Sequence, residues 1–170
     1  MDIKGLQEQM ELDARRIQAM LEGISDEQAR WKPDAGTWSM LEVLGHLLDE
    51  ERRDFRVRLD LLLRDPAAEW PHIDPMGWVT EHRYNEQDPA ATLQGFLDER
   101  RASLAWLHSL QSPDWESSAL APWGGRIRAG DMLAAWVAHD TLHMRQLVEL
   151  QHAWVVHLST PYETGYAGDW

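Results

Sequence analysis

The sequence predicts an all-α protein, a four-helix bundle, and three observations carry that prediction. Apolar residues recur at helical spacing through Ile3, Leu6, Met10, Ala14, Ile17, Leu21 and Ile24, a period held for about six turns. Ser39 and Glu42 form an S-x-x-E capping box at the head of a second segment. The same period returns in Met132, Trp136, His139, His143, Leu147, Leu150 and Trp154. Helices are expected near 2–22, 39–64, 89–111 and 131–154, within one domain spanning residues 1–170. A domain of that length buries on the order of 70% of its extended-chain surface, enough for a core that needs no covalent staple.

Each element follows from local chemistry. Gly23 closes the first helix, and Ser25-Asp26-Glu27-Gln28 forms a second N-cap before Lys32-Pro33 and Gly36 stop that short turn. Trp38 and Val43 flank the Ser39 cap as a hydrophobic staple, and helix two continues to Arg64, where Asp65-Pro66 breaks it. Residues 65–88 are too long for a tight helical hairpin, so they suit a crossover that lets helices two and three run parallel. Asp88-Pro89 supplies a cap followed by proline at the first helical position, and Leu93, Leu97, Leu104 and Leu107 carry helix three. Arg100 and Arg101 interrupt its stripe; their stems are expected to cover apolar surface while the guanidinium groups reach water. Gly124-Gly125 can turn a small hairpin before helix four begins near Gly130-Asp131. The aromatic segment 161–170 is expected to pack back on the bundle. Trp70, Trp78, Trp123 and Trp170 read first as anchors and second as walls of an apolar substrate pocket.

Composition excludes several classes of function. A net charge of −13, with Lys32 the single lysine beyond the first helix, argues against a nucleic-acid partner and leaves a small-molecule substrate as the expected one. The absence of cysteine rules out disulfides and thiolate ligands, so a metal must be held by nitrogen and oxygen and any thiol chemistry must use a thiol that arrives with the substrate. Met1 to Gly5 lead into charged residues, and no apolar run approaches the roughly 18 residues of a membrane span. No membrane association and a cytoplasmic location are therefore expected, and a homodimer is compatible with the composition.

The chemistry concentrates in histidines. His139 and His143 lie four apart on the core-facing side of helix four, so both imidazoles can reach one metal ion. A buried imidazole wants a partner, and that partner is either a carbonyl or carboxylate or a metal. Asp140 points off this face and reads as a solvated acid or one supporting the ligands. A third histidine, His46, stands on helix two, most of a half-turn from the stripe centred on Leu41, Leu44, Leu48, Phe55, Leu59 and Leu62. The wheel alone would expose it; a second apolar margin at Val43, Leu47 and Leu61 places it where the helix borders a groove. His72, His82, His108, His152 and His157 are expected to be solvated or locally hydrogen-bonded.

These motifs carry a family resemblance. The W-S-x-x-E-x-L-x-H-L run at Trp38 to Leu47, the H-x-x-x-H of His139 and His143, Gly130-Asp131-Met132-Leu133, Ile24 to Gln28, and Trp31-Lys32-Pro33 resemble the DinB/YfiT-like superfamily of small metal-binding four-helix proteins. The resemblance covers nearly the whole chain. It implies an up-down-down-up helix order and the ligand set His46, His139 and His143, through which a divalent ion would be the catalytic centre. Neutral nitrogen ligands suit zinc or nickel best, with iron or manganese also fitting, and leave a position for water or substrate. Asp49, Glu50 and Asp140 are near enough in sequence to orient ring N–H groups or act as a base. The implied activity is a thiol-dependent transferase or isomerase using bacillithiol, mycothiol or glutathione, or a metal-dependent hydrolase. Arg126, Arg128 or Arg145 could meet the thiol's anionic part. The alternative is a non-catalytic, DNA-damage-inducible metal-binding protein.

Overall fold

The computed structural model describes residues 1–168 and 170. Helix α1 (Ile3–Leu21) starts where the Asp2 carboxylate accepts the Gly5 N–H, and α2 (Asp26–Arg30) starts at the Ser25 hydroxyl. Helix α3 (Met40–Asp49) begins on the reciprocal capping box: Ser39 Oγ accepts the Glu42 N–H at 3.1 Å and Glu42 Oε2 accepts the Ser39 N–H at 2.8 Å. One wide turn of π-helical geometry, Glu50–Asp54, joins it to α4 (Phe55–Arg64), and together they make the expected second helix. The connection beyond contains a short helix α5 (Pro75–Glu81), then α6 (Pro89–Ser109) follows on the Asp88 cap. Strands β1 (Ser118–Leu120) and β2 (Arg126–Arg128) form the small antiparallel hairpin, turned by Gly124 and Gly125 at φ +87° each, a conformation that favours glycine. Helix α7 (Ala129–Ser159) outruns its expected end at 154. Among the described residues no helix is long and apolar enough to cross a membrane.

Side-chain pairs set the helix directions. Leu48 lies at Gly95, Arg52 bonds Glu99 and Arg56 bonds Ser103, so α3–α4 and α6 climb together and run parallel. His46 meets His139 and Phe55 stacks on Trp136 at 5.8 Å, a falling register that makes α3–α4 antiparallel to α7. The core splits across the bundle into one half around Ile17, Leu44, Phe96 and Leu147 and another around Met10, Leu59, Leu62 and Trp136. Each such side chain, fully buried, contributes roughly 1.5–3 kcal/mol of transfer free energy.

The crossover is folded onto the bundle at one point of close approach. Tyr84 packs so tightly against Gly45 that a Cβ there would lie 2.6 Å from the ring, and its hydroxyl donates to Asp49 Oδ2 at 2.7 Å. His82 Nδ1 stands 2.6 Å from the same oxygen, while Arg53 Nε holds Asp49 Oδ1 at 3.1 Å. The expectation of the wheel alone is corrected at His46, which is 6% exposed: the wheel measures distance from one stripe, whereas His139 and His143 of α7 and Trp38 pack on the His46 ring, and every residue of α3 is buried. The aromatic segment is also corrected. Tyr162 and Tyr166 are exposed, and Trp170, though its ring stacks on His152 at 4.2 Å, is largely exposed as well; α7 continues to Ser159 and carries the segment away from the core. Asp169, within that segment, lies outside the described residues.

Candidate metal centre

His46 is the seventh residue of α3, and the capping box fixes where that helix begins. His139 and His143 come from one face of α7, one turn apart, and meet it across the bundle. His46 Nε2 is 3.4 Å from His139 Nε2, which is 3.1 Å from His143 Nε2, and ligand atoms of all three lie within 4.8 Å of one another. Three nitrogens about 2.0–2.1 Å from one tetrahedral ion stand roughly 3.3 Å apart, so the spacing is that of a ligand set.

Protons alone do not satisfy this cluster. Burial, then the neighbouring His143 and His139, pushes His46 down to about 3. Burial, then His143 and Arg100, pushes His139 down to about 3, and burial lowers His143 against the opposing hydrogen bond to Gln146. All three rings are therefore neutral near pH 7, with one N–H each. His143 Nδ1 lies 2.9 Å from Gln146 Oε1, which assigns its proton to Nδ1 and leaves Nε2 as a lone pair. His139 Nε2 has two ring neighbours and a single site with which to donate or accept, so one of the two contacts always lacks a hydrogen bond. His46 Nδ1 is buried without a partner, 3.9 Å from Glu50 Oε1, which is also buried and unpartnered. Buried polar atoms in native proteins rarely go unpaired, and a cation at the point the Nε2 atoms share removes the conflict among them.

The acids distribute differently from expectation. Glu50 is the one that faces the cluster, and burial, then Asp54, raises its carboxyl to about 8. Asp49, about 100° from Glu50 around the helix axis, faces the crossover and holds it through His82 and Tyr84, with Arg53 on its other oxygen. Asp140 is corrected most. It is 1% exposed, and both its oxygens accept from Arg100 at 2.7 and 2.9 Å.

Arg100, whose head was expected in water, is itself 1% exposed and also donates to Glu51 Oε1 at 2.6 Å and to the Met10 carbonyl at 3.0 Å. Trp136 Nε1 and Ser103 Oγ complete Glu51. Two buried acids outweigh the penalty that burial puts on the guanidinium, and its charge is secure. Arg101 does reach water, beside Asp98. Arg126, Arg128 and Arg145 lie away from the cluster, on Ser118, on Asp131 and Glu116, and on Glu149.

The Glu51–Arg100–Asp140 network was not legible as a site, since Glu51 and Asp140 lie 49 and 40 residues from Arg100 in the chain. The one available signal was Arg100 at a stripe position. His82 proves to be bonded 33 residues away in the chain rather than locally. Of the four loop tryptophans, Trp70 and Trp123 line a cavity, and Trp78 is buried against His82.

Comparisons with known proteins place the fold and the family. YfiT from Bacillus subtilis, a probable metal-dependent hydrolase with an unusual four-helix bundle topology, has a similar structure, with a TM-score of 0.78 at 19% identity over 88% of this chain and 86% of that one. A mutant of the mycothiol-dependent maleylpyruvate isomerase is similar at a TM-score of 0.68 and 11% identity, over 86% of this chain and 61% of that longer one. At such identities the likeness is one of fold. No curated protein matches the sequence. The model of the DinB superfamily matches residues 9–147, which include all three histidines, and the chain belongs to that superfamily.

Proposed function

We propose that this protein is a metal-dependent enzyme in which His46, His139 and His143 hold one divalent ion, zinc or nickel by ligand type, for hydrolysis or for thiol-dependent transfer or isomerisation of a small molecule. The observation that carries the reading is the convergence of three neutral imidazoles whose Nε2 atoms cannot satisfy one another. Three neutral ligands leave the ion's charge uncompensated, and when bound it would lower the pKa of a coordinated water or thiol toward neutrality. The residues around it do the rest. Gln146 fixes the His143 tautomer, Trp38 and Phe55 pack on His46 and His139 at 5.1 and 5.0 Å, and Glu50, with a carboxyl near 8, can hold or release a proton beside His46 at working pH. The two structural relatives support one branch each, hydrolase and thiol-dependent isomerase.

Elemental analysis of protein purified without a histidine tag should find close to one transition-metal ion per chain. Turnover of an ester, amide and electrophile panel, with and without added thiol, then separates the branches. Loss of activity on chelation with a requirement for thiol supports transfer, and the same loss without that requirement supports hydrolysis. A metal-loaded protein with no turnover on the panel would favour a non-catalytic metal-binding role.

A further inference from the structure

A cavity of about 880 Å³ opens between the start of the crossover and the β1–β2 hairpin. The histidines are not in its walls; the link is helical, since Glu50 faces His46, Asp54 touches Glu50, and both Asp54 and Arg58 line the cavity. Its size is that of sites for small organic ligands.

Two features point to what it takes. The first is apolar surface left open to water. Trp123, at the hairpin turn, is 64% exposed, and Leu120 of β1 is 71% exposed; both border the cavity, and Trp123 meets Trp70 edge-on at 5.7 Å. A flat ligand would cover both. The second is a cation within reach of the same rings. The Arg58 guanidinium carbon lies 5.0 Å from the Trp70 ring centre and 5.5 Å from that of Trp123. Its sole ion-pair partner among the described residues is Asp54, at 2.9 Å from Nε and 3.4 Å from Nη1, and Nη2 has no hydrogen-bond partner there. A guanidinium offers donors alone, so an accepting, negatively charged end complements it.

We propose that this cavity binds a small aromatic carboxylate, with its ring against Trp123 and Trp70 and its acid group on Arg58. The proposal rests on the metal-enzyme reading for the site's purpose, though binding itself does not require the ion.

Isothermal titration with indole-3-acetate and its uncharged amide, indole-3-acetamide, on full-length protein of measured metal content tests this. The acid should bind about tenfold more tightly than the amide. Trp123→Ala and Leu120→Ser, both on the exposed hairpin and away from the core, should each weaken the acid by about three- to tenfold. Arg58→Met should erase the preference for the acid. Absence of binding, equal affinity for acid and amide, or an acid affinity unchanged in Trp123→Ala and Leu120→Ser would overturn the proposal; the last result would place the carboxylate elsewhere, on the metal for example. A protein that purifies without metal, takes up no added zinc or nickel and yet binds the acid would leave the cavity standing and count against the metal centre, whereas a fully metal-loaded protein that ignores the probe counts against the cavity alone.

Discussion

Two buried polar clusters lie side by side in this bundle and are built on opposite principles. Glu50 and His139 belong to one, and their immediate neighbours Glu51 and Asp140 to the other. In the Glu51–Arg100–Asp140 cluster each acid has donors on both oxygens and the guanidinium is bonded through all three nitrogens. The histidine cluster leaves His46 Nδ1 and Glu50 Oε1 unpaired and sets ring nitrogens against one another. The first is complete without a ligand and holds the helices in place. The second is incomplete, and its shortage is of cations. Burial alone therefore does not mark a functional group; burial without partners does.

The largest expected effect tests the complete cluster. Arg100→Met should cost about 3–5 kcal/mol in chemical denaturation, since it strands two buried carboxylates. A loss below about 1 kcal/mol would put the two clusters on the same footing. His143→Ala should do the reverse: stability of the metal-free protein should move by less than about 1 kcal/mol. Its metal content should drop from near one ion per chain to near zero, and it should lose the stabilisation that excess zinc or nickel gives the parent, about 2.7 kcal/mol at a hundredfold excess over Kd.

Acidity sharpens the contrast further. His46 and His139 titrate near 3 in the folded protein and near 6.5 in the unfolded chain, so between these values the unfolded state binds more protons. Their contribution is whole above pH 6.5 and is lost as the pH falls toward 3. Glu50 has the opposite sign: raised from 4.5 to about 8, it costs stability as the pH rises through that window. Melting curves of metal-free protein should therefore show a shallower acid decline in His46→Gln and a smaller loss between pH 5 and 8 in Glu50→Gln. Unchanged profiles would mean that these groups are hydrated. The smallest effect concerns the crossover. His82→Ala removes one bond to Asp49 and should cost about 1 kcal/mol. Faster amide exchange is expected over 75–87, with metal content intact.

Much of this architecture is readable along the chain because its causes are local. The Ser39–Glu42 box, the Asp88-Pro89 start and the Gly124-Gly125 turn each act within a few residues, and each appears where the sequence places it. The i, i+4 pair on α7 is likewise a property of one helix. His46 shows the limit. The spacing of His46 within its motif marks it as a ligand through resemblance, while the wheel points it outward, and it took α7, with His139 and His143, to enclose it.

By itself the sequence determined the four long helices, the caps at Ser39 and Asp88, the absence of any thiolate ligand and the three histidines that could share an ion. Tertiary structure decided which acids support them and which are spent elsewhere. Asp49 faces the crossover, Glu50 faces His46 and Glu51 enters the core, although the three are consecutive. Tertiary structure also decided that Arg100 is a buried counter-charge and that Arg58, Trp70 and Trp123 share one cavity. The physical reason is that periodicity and capping depend on neighbours along the chain, whereas the fate of a charge depends on what residues 40 or 50 positions away bring to it.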